Sequence, residues 1–438
     1  YAKKNPDKKI VLIEYGGGAE AGENELDQTI EVKNTVNHHL PFECTNKGLG
    51  GSTATWGGRC VMYDEIDFIE RPVLNGGCTW NIDLYHEVLG YLKTTADYFE
   101  CGKPLFNTNE IEKFRNNRIA DQFIEGDVTD AVIERWSMPT RFGKRYRKEL
   151  EALPNVLLME GYEVSKLTVA ASKNSISSLE VSKVDSKLIK TVEAKQFILS
   201  AGAQETTRIL LKNVHIFDAI GGPSEALGKY YQGHLSGKIA SVKFYGNPKN
   251  TEYGFLKDED GIYLRRRFQF SKELLVKKNL LNTAIWLDNP LYYDPKHESG
   301  AMSFMYLAMI TPFLGKKLAP PAIAHSVTKG KVFAVNLHIK NVLKGLPGSL
   351  LAPANIFYKR YLLSRKLPGI FLYNPQNVYA LHFHSEQVPD ITNTMTLGKD
   401  GKTLVINYHL TDADIDSVIK LHEVLDDWLR KTNCGELV

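Results

Sequence analysis

The 438-residue chain lacks the sequence features of several protein classes. Its five cysteines are odd in number and contain no C-x-x-C pair, so the sequence predicts neither a disulfide framework nor a structural zinc site. No run approaches the roughly 18 consecutive apolar residues of a membrane-spanning helix. With 54 basic and 51 acidic side chains, the net charge of +3 gives no support to nucleic-acid binding. We therefore expect a reducing compartment, the cytoplasm.

Length and composition predict a large globular protein with two or more domains. Hydrophobic residues make up 43% of the chain and charged residues 24%, both ordinary values for a protein with a large core. A domain has roughly 100 to 200 residues. The chain begins at Tyr1 rather than Met, and its first residues indicate the end of an element that leads into a strand. We therefore expect a fragment, and the missing signal peptide says nothing about export.

A short apolar run at residues 9–14 ends in Glu14 and is followed by glycines. This pattern is typical of a strand buried on both faces of a parallel sheet. In dinucleotide-binding βαβ units, an acid at the end of the second strand accepts hydrogen bonds from ribose hydroxyls, and a G-x-G-x-x-G turn lies about 20 residues earlier. Such a turn would lie upstream of Tyr1. The alternative interpretation is a strand that ends in an acid by chance.

The segment at residues 47–59 is rich in glycine and hydroxyl side chains. Its glycines, together with Ser52, Thr53 and Thr55, would offer backbone N–H groups and hydroxyls with little side-chain bulk, as a pyrophosphate or an isoalloxazine ring requires at close range. The alternative is a flexible surface loop. Against that alternative stands Trp56, which a loop selected only for flexibility would not usually carry.

Hydrophobic periodicity predicts an alternation of helices and strands. The predicted elements are, in chain order, a helix capped by Asp83, a helix at 110–123, strands at 156–159, 164–169, 176–184 and 197–202, a helix at 205–212, strands at 262–270, 281–287, 379–387 and 403–410, and an amphipathic helix at 411–431.

Seven separated segments resemble, in the right order, motifs of the glucose-methanol-choline (GMC) family of flavin-dependent oxidoreductases. They are IVLIEYGG, GLGGSTATWGG, WNIDLYHEVLGY, NVLLMEGYEVSKL, ILSAGAQETTRILLKN, LGKYYQGH and HFHSEQVPDITNTMTL. Each motif is degenerate, but together they cover most of the chain. Composition and spacing alone indicate only a nucleotide-binding α/β protein.

The resemblance implies an α/β fold, in which an FAD-binding Rossmann-like domain without its first strand and glycine turn carries an inserted α+β substrate domain built on an antiparallel sheet. The implied domains are 1–235 for FAD, with a helical insertion at about 80–150, then 236–410 for substrate, and a helix at 411–438 that returns toward the FAD domain. The implied activity is FAD-dependent oxidation of a CH–OH group of an alcohol or sugar, with hydride transfer to flavin N5. Without the segments that the resemblance places outside it, the fragment itself is expected to be inactive.

The resemblance also assigns cofactor contacts, by matching motifs. Glu14 would bind the adenosine ribose, and Glu163 or Val164 would contact the adenine. The remaining implied contacts, with the pyrophosphate or the flavin, are Gly50, Gly51, Ser52, Thr55, Trp56, Ala201 and Gly202. Thr55 stands where the pyranose-oxidase branch has its flavin-linking histidine, so we expect noncovalent FAD.

No catalytic residue is assigned, because the family's proton-accepting histidine belongs to an H-x-x-G-T segment that would lie beyond Val438. His234, which ends a family motif, is interpreted as structural. His382 and His384 share one face of a predicted strand, but a metal site would lack ligands, so we expect packed or hydrogen-bonded histidines and no metal. Two rival functions remain: a flavin-containing hydroxynitrile-lyase-like enzyme, and a noncatalytic binding protein with a degenerate FAD fold.

One block of the chain is strongly basic. Between Ser299 and Ser385 there are ten of the 54 basic residues and none of the 51 acidic ones. The basic residues alternate with apolar ones, mainly at residues 313–366. A solvated positive face is the commoner meaning of such a pattern. The alternatives are peripheral contact with an anionic membrane, or an anionic or lipid-linked saccharide substrate.

Overall fold

The computed structural model describes residues 1–17, 29–39, 45–311 and 332–438. The chain folds into two compact units, and each combines helices with several sheets, so the fold is mixed α/β. The first unit contains Tyr1–Trp56, Thr140–Gly233 and Pro389–Thr411. The second unit contains Gly57–Pro139, His234–Val388 and Asp412–Val438.

The helices and strands below are numbered in chain order over the described residues. The helices are α1 (Ile82–Leu89), α2 (Leu92–Phe99), α3 (Phe142–Glu151), α4 (Gly202–Lys212), α5 (Lys272–Lys278), α6 (Gly300–Ile310), α7 (Val335–Lys344), α8 (Gly348–Phe357) and α9 (Asp412–Lys431). The strands are β1 (Ile10–Glu14), β2 (Ile30–Val32), β3 (Arg59–Cys60), β4 (Val128–Thr129), β5 (Ile133–Trp136), β6 (Val156–Glu160), β7 (Tyr162–Val169), β8 (Ile176–Lys183), β9 (Ile189–Glu193), β10 (Leu235–Phe244), β11 (Leu256–Lys257), β12 (Tyr263–Arg266), β13 (Gln269–Phe270), β14 (Thr283–Asp288), β15 (Val378–Ser385), β16 (Thr394–Leu397), β17 (Leu404–Asn407) and β18 (Gly435–Leu437).

The described residues of the first unit form three small sheets. Strands β1 and β6 pair in parallel, in a register that places Glu14 opposite Glu160. Strands β7, β8 and β9 form an antiparallel sheet, and β2 runs parallel to β17, which also pairs with β16. Ile13 packs against the core of the β7–β9 sheet, around Leu179 and Val181. This packing covers one face of the β1–β6 pair.

The other face of the β1–β6 pair is open, which corrects the prediction of a strand buried on both faces. Val11 is 38% exposed and its neighbour Leu157 is 57% exposed. The open face borders a cleft of about 640 Å³ that is also lined by Tyr162 and by residues of β9. The parallel pairing of the strand is as predicted. The apolar run at residues 9–14 therefore indicates a high β-propensity as much as it indicates burial.

The second unit contains a four-stranded antiparallel sheet in the order β14-β15-β10-β18, together with the sheets β11-β12-β5-β3 and β13-β4. Alternate residues of β15 are buried, namely Tyr379, Leu381, Phe383 and Ser385. Phe383 packs edge-on against His422 of α9, at a ring-centroid distance of 5.5 Å. The buried face of this sheet therefore lies against α9, and its other face carries the polar side chains described below.

The unit boundaries differ from the predicted domains. Residues 57–139, expected within the first domain, belong to the second unit, whereas residues 389–411 belong to the first. Helix α9 is part of the second unit, since Ser417 in it accepts a hydrogen bond from the backbone N–H of Leu281 at 2.9 Å. Strand β18, which follows α9, completes the β10 sheet. The helix was expected to return toward the first domain.

The predicted helix at 110–123 is replaced by a series of turns. The side chains of Phe114, Ile119 and Phe123 are buried, as an apolar stripe requires. However, the carbonyl of Phe114 accepts a hydrogen bond from Arg266 Nη2 at 2.7 Å, and the N–H of Ile119 donates to the Asp130 carboxylate. Distant charged side chains thus satisfy the backbone groups that a helix would pair locally.

The structure differs from two other predicted elements, the helix near Asp83 and the strand at 197–202. The helix expected to be capped by Asp83 is capped two residues earlier, by Asn81, whose side chain accepts a hydrogen bond from the N–H of Leu84. It is interrupted at Gly90 and so forms two helices, α1 and α2. Residues 197–202 form no strand, and Ile198 is 80% exposed. In the described part of the chain, no helix has the length and hydropathy needed to cross a membrane.

Candidate functional site

The end of β1 contacts the glycine-rich segment directly. The Oε1 atom of Glu14 accepts hydrogen bonds from the backbone N–H of Gly16 at 3.0 Å and from that of Gly48 at 2.9 Å. A Cβ atom at Gly16 would lie 2.5 Å from the Cα of Gly48, so only glycine fits there. The two segments, predicted separately from sequence, therefore meet at one carboxylate.

The second carboxylate oxygen of Glu14 has a different environment. Among the described residues, no donor forms a hydrogen bond with Oε2. A carboxylate oxygen has two lone pairs that accept from hydroxyl or N–H donors. The strand end therefore offers one acceptor that the local backbone does not use.

The glycine-rich segment packs against the start of α3. Gly50 has a φ of +94°, and a Cβ on it would lie 2.4 Å from the backbone nitrogen of Gly143. The Thr53 hydroxyl donates to the carbonyl of Gly50 at 2.6 Å and accepts from the N–H of Phe142 at 3.1 Å. Gly50 therefore serves backbone packing, a role that sequence reasoning missed because its partner is 93 positions away.

Other parts of the same segment remain accessible. Gly51 begins a 3₁₀ turn (Gly51–Ala54), and a Cβ on it would meet nothing within 4 Å. Ser52 is exposed. Thr55 Oγ1 accepts from Asn46 Nδ2 at 2.7 Å, and Trp56 donates its indole N–H to the carbonyl of residue 140 at 2.9 Å. Gly51 and Ser52 form the accessible side, and Trp56 anchors the segment.

The two other predicted contact regions lie at opposite ends of α4. Gly202 begins this helix with a φ of +78°, next to Ala201, and a Cβ on Gly202 would meet nothing within 4 Å. Lys212, its last residue, donates to Glu163 at 3.0 Å, beside Val164 in β7. At 1.5 Å rise per residue, ten residues span about 15 Å. The structure thus separates these two regions by the length of a helix.

The first turn of α4 contains buried acceptors without donors. Oε1 of Gln204 and Oε1 of Glu205 are buried and form no hydrogen bond in the described part of the chain. Gln204 uses its amide nitrogen to donate to Tyr231 Oη at 3.2 Å, and Glu205 uses its other oxygen for Arg208 at 2.5 Å. Unsatisfied buried acceptors cost about 1–3 kcal/mol each, so this turn suits a ligand with hydroxyl or N–H donors.

A second group of polar and aromatic side chains lies on the β14-β15-β10 sheet, on the face opposite α9. We call it the imidazole face (His234, Ser236, Trp286, His382 and His384). His382 stacks on Trp286 at a ring distance of 4.5 Å, and its Nε2 lies 3.1 Å from Ser236 Oγ. His234 stacks on His384 at 5.5 Å. The i, i+2 spacing of His382 and His384 does place both rings on one strand face, as predicted.

Excess positive charge borders the imidazole face. Arg59 donates to His384 Nδ1 at 2.7 Å and stacks over Trp286 at 4.5 Å. The buried Glu134 carboxylate pairs with Arg59 at 3.3 Å and with Arg265 at 2.6 Å, so two guanidinium groups share one acid. Burial and the nearby Arg59 charge lower the pKa of His384 to about 3. His384 is therefore a neutral acceptor at pH 7.

Asp288 lies at the other end of the face. Burial alone would raise the pKa of Asp288, but hydrogen bonding with His382 and the charge of Lys238 outweigh burial and hold that pKa at about 2. Lys238 Nζ is 2.7 Å and His382 Nδ1 is 3.8 Å from the Asp288 carboxylate. In the ranges that the structure describes, no group of three or more His, Cys, Asp and Glu side chains is arranged to hold a metal ion.

Comparisons with known proteins give only distant likenesses. No protein-family profile matches the chain, and no curated protein matches it in sequence. A fungal aryl-alcohol oxidase has a TM-score of 0.43 at 13% identity, over 100% of this chain and 81% of that one. Pyridoxine 4-oxidase from Mesorbium loti has a TM-score of 0.45 at 14% identity, over 96% of this chain and 75% of that one. An FAD-dependent oxidoreductase from Chaetomium thermophilum has a TM-score of 0.36 at 11% identity, over 98% of this chain and 78% of that one. These likenesses are too weak to assign a function.

Proposed function

We propose that the chain is an FAD-dependent oxidoreductase of GMC-like character that acts on a CH–OH group of an alcohol or sugar. The observation that carries this proposal is the contact between Glu14 and Gly48. It joins an acid at the end of a parallel strand, the position of the ribose-binding acid in a dinucleotide site, to a glycine-rich segment. The proposal predicts that the adenosine ribose binds at this junction.

The residues of the first unit fit such a cofactor. Glu14 Oε2 would accept from a ribose hydroxyl, and the accessible backbone at Gly51 and the Ser52 hydroxyl would meet phosphate oxygens. The start of α4 at Gly202 would place helix N–H groups near negative charge. Thr55 has no nucleophilic ring nitrogen, so the cofactor would be noncovalent. When bound, FAD supplies hydride acceptance, and the protein supplies binding and orientation.

The test is FAD binding by the 438-residue protein, measured by quenching of flavin fluorescence. Glu14→Gln should weaken binding about 10- to 100-fold, since a hydrogen bond to a charged group contributes about 1.5–3 kcal/mol. Glu160→Gln is the matched control. Glu160 ends β6 opposite Glu14 and pairs with Arg147 at 2.6 Å. Equal affinities of the two variants would contradict the proposal.

A second measurement separates oxidoreductase from lyase chemistry. Anaerobic addition of a substrate alcohol should bleach the absorbance of the bound oxidised flavin, because hydride transfer reduces it. A hydroxynitrile-lyase-like enzyme would turn over substrate with the flavin spectrum unchanged. Acid precipitation should release the flavin into the supernatant if it is noncovalent.

The imidazole face favours a second candidate function, binding of an anionic ligand without redox chemistry. Arg59 and Arg265 share a single buried carboxylate, and a bound anion would offset the charge that Glu134 leaves uncompensated. Titration with inorganic phosphate should show binding that Arg59→Gln weakens at least tenfold. Lys272→Gln, which removes a lysine paired with Glu65 on the same unit, should leave binding unchanged. Phosphate binding that is indifferent to Arg59 would exclude this function.

A further inference from the structure

Helix α7 buries two polar side chains, His338 and Asn341, and exposes several apolar ones. His338 is fully buried, with Nδ1 2.9 Å from Ser303 Oγ, and Asn341 donates to the carbonyl of Pro295 at 2.9 Å. Leu337 and Leu343 of the same helix face solvent, and Leu343 is 63% exposed. Hydrogen bonds to α6 and its surroundings therefore hold the helix, and its apolar stripe is left without a partner in the described residues.

The apolar exposure continues through α8 and the turn that follows. Both α7 and α8 pack against α6. Leu351 is 64% and Leu362 is 67% exposed. The large apolar side chains exposed on this segment, here called the apolar–basic surface, are Leu337, Ile339, Leu343, Leu346, Leu350, Leu351, Phe357, Tyr358, Tyr361 and Leu362. An accumulation of this kind marks an interaction site, since monomeric soluble proteins rarely expose large apolar patches.

The same surface carries positive charge with little compensation. Lys340, Lys359 and Lys366 form no ion pair with a described residue, whereas Lys344 lies 3.3 Å from Glu298. No acidic residue occurs between Ser299 and Ser385, so this stretch of chain itself offers a partner basic, apolar and uncharged polar side chains. The described part of the predicted basic block is 332–366; its beginning, with Lys316 and Lys329, lies outside the described residues.

We propose that the apolar–basic surface docks on an anionic lipid bilayer as a peripheral contact. The charge selects a negatively charged partner, and the leucines select one that offers an apolar interior, a combination that the headgroup and acyl boundary of an anionic bilayer provides. A nucleic acid would satisfy the lysines but leave the leucines in water. This surface lies wholly within the second unit, and its role is independent of flavin binding.

The test is co-sedimentation of the 438-residue protein with vesicles. Vesicles of phosphatidylcholine with 30% phosphatidylserine should bind the protein, and vesicles of phosphatidylcholine alone should bind it far more weakly. The combined variant Lys340→Gln, Lys359→Gln and Lys366→Gln should lose on the order of a hundredfold in partitioning, from about fivefold per lysine. High salt should reduce binding of the unsubstituted protein in the same direction.

The apolar contribution is tested with a matched pair of double variants. Leu343→Ser with Leu351→Ser should reduce partitioning at least tenfold, because each removes a side chain that would enter the acyl boundary. Ile415→Ser with Ile419→Ser is the control, since these residues are 46% and 45% exposed on α9. The control should bind vesicles like the unsubstituted protein, and circular dichroism should show both variants folded.

Three outcomes would overturn the proposal. One is sedimentation that does not depend on phosphatidylserine content or on the lysines. Another is a dimer in gel filtration that the Leu343→Ser, Leu351→Ser variant dissociates, which would assign the surface to a second copy of the chain. The third is absence of vesicle binding together with lysine-dependent retention on duplex DNA, which would assign it to nucleic acid.

Discussion

Replacement of Arg266 by Met is expected to destabilise the second unit strongly. The Arg266 side chain is fully buried, and its guanidinium group binds the carboxylate of Glu252 at 2.6 Å and the carbonyl of Phe114 at 2.7 Å. It also donates to the Thr108 hydroxyl at 2.9 Å and lies 3.6 Å from the Asp130 carboxylate. Methionine would fill similar volume without donors, so two buried acids would lose their counter-charge.

The size of the destabilisation depends on the carboxylates that Arg266→Met would leave without a counter-charge. Removing one partner of a buried ion pair costs about 3–5 kcal/mol, because the remaining charge is uncompensated. Burial raises the pKa of Asp130 to about 6, and the Arg266 charge is what keeps it from rising further. A folded-state pKa above the unfolded value means that Asp130 favours folding at acid pH and loses that contribution as pH rises through 6. The cost of Arg266→Met should therefore be larger at pH 7.5 than at pH 5.

The assay is urea unfolding followed by tryptophan fluorescence, at both pH values. Arg267→Met is the control, because Arg267 is also buried but its side chain donates only to Gln269 among the described residues, and its Nε has no partner. It should cost clearly less than Arg266→Met. Equal shifts of the unfolding midpoint for both variants, or a larger cost of Arg266→Met at pH 5, would refute the reasoning.

Three further predictions concern packing and protonation. Gly143→Ala should lower the melting temperature by several degrees, since the new Cβ would lie 2.0 Å from a backbone oxygen of the glycine-rich segment, whereas Gly17→Ala meets nothing within 4 Å and should be neutral. In NMR titrations His384 should show no protonation between pH 5 and 8, and Arg59→Gln should raise its pKa measurably. Burial raises the pKa of Asp67 to about 6, so this carboxyl should cost stability as pH rises from about 4 to about 6, and Asp67→Asn should remove that pH dependence.

The elements that sequence reasoning located are those whose pattern is local. The alternation of β15 predicts its strand, and the structure confirms a buried residue at every second position from Tyr379 to Ser385. The heptad-like stripe of α9 likewise becomes its buried side, with Leu421, Leu425 and Leu429 fully buried. In both cases the period of the pattern carries the information, and no distant residue has to be known.

Sequence reasoning failed where distant side chains decide the backbone. Residues 110–123 have a helical apolar period, but Arg266 and Asp130 bind the backbone groups of that segment. The alternation of basic and apolar residues in the basic block is visible in the sequence, but the buried polar side of α7 is not, because it depends on Ser303, which precedes His338 by 35 residues. The sequence predicts a ligand contact for Gly50, whereas the structure shows that Gly50 leaves room for the backbone of Gly143. A single sequence contains no signal for such pairings.

Glu14 combines a structural and a proposed functional role in one carboxylate, and two substitutions separate them. In Glu14→Gln the amide oxygen still accepts from Gly16 and Gly48, but the amide nitrogen is a donor and cannot accept from a ribose hydroxyl. In Glu14→Ala both backbone N–H groups lose their acceptor, at about 1–3 kcal/mol each where they are buried. We expect Glu14→Gln to weaken FAD binding with little change in melting temperature, and Glu14→Ala to lower both. If both variants have the melting temperature and the FAD affinity of the unsubstituted protein, the carboxylate serves neither role.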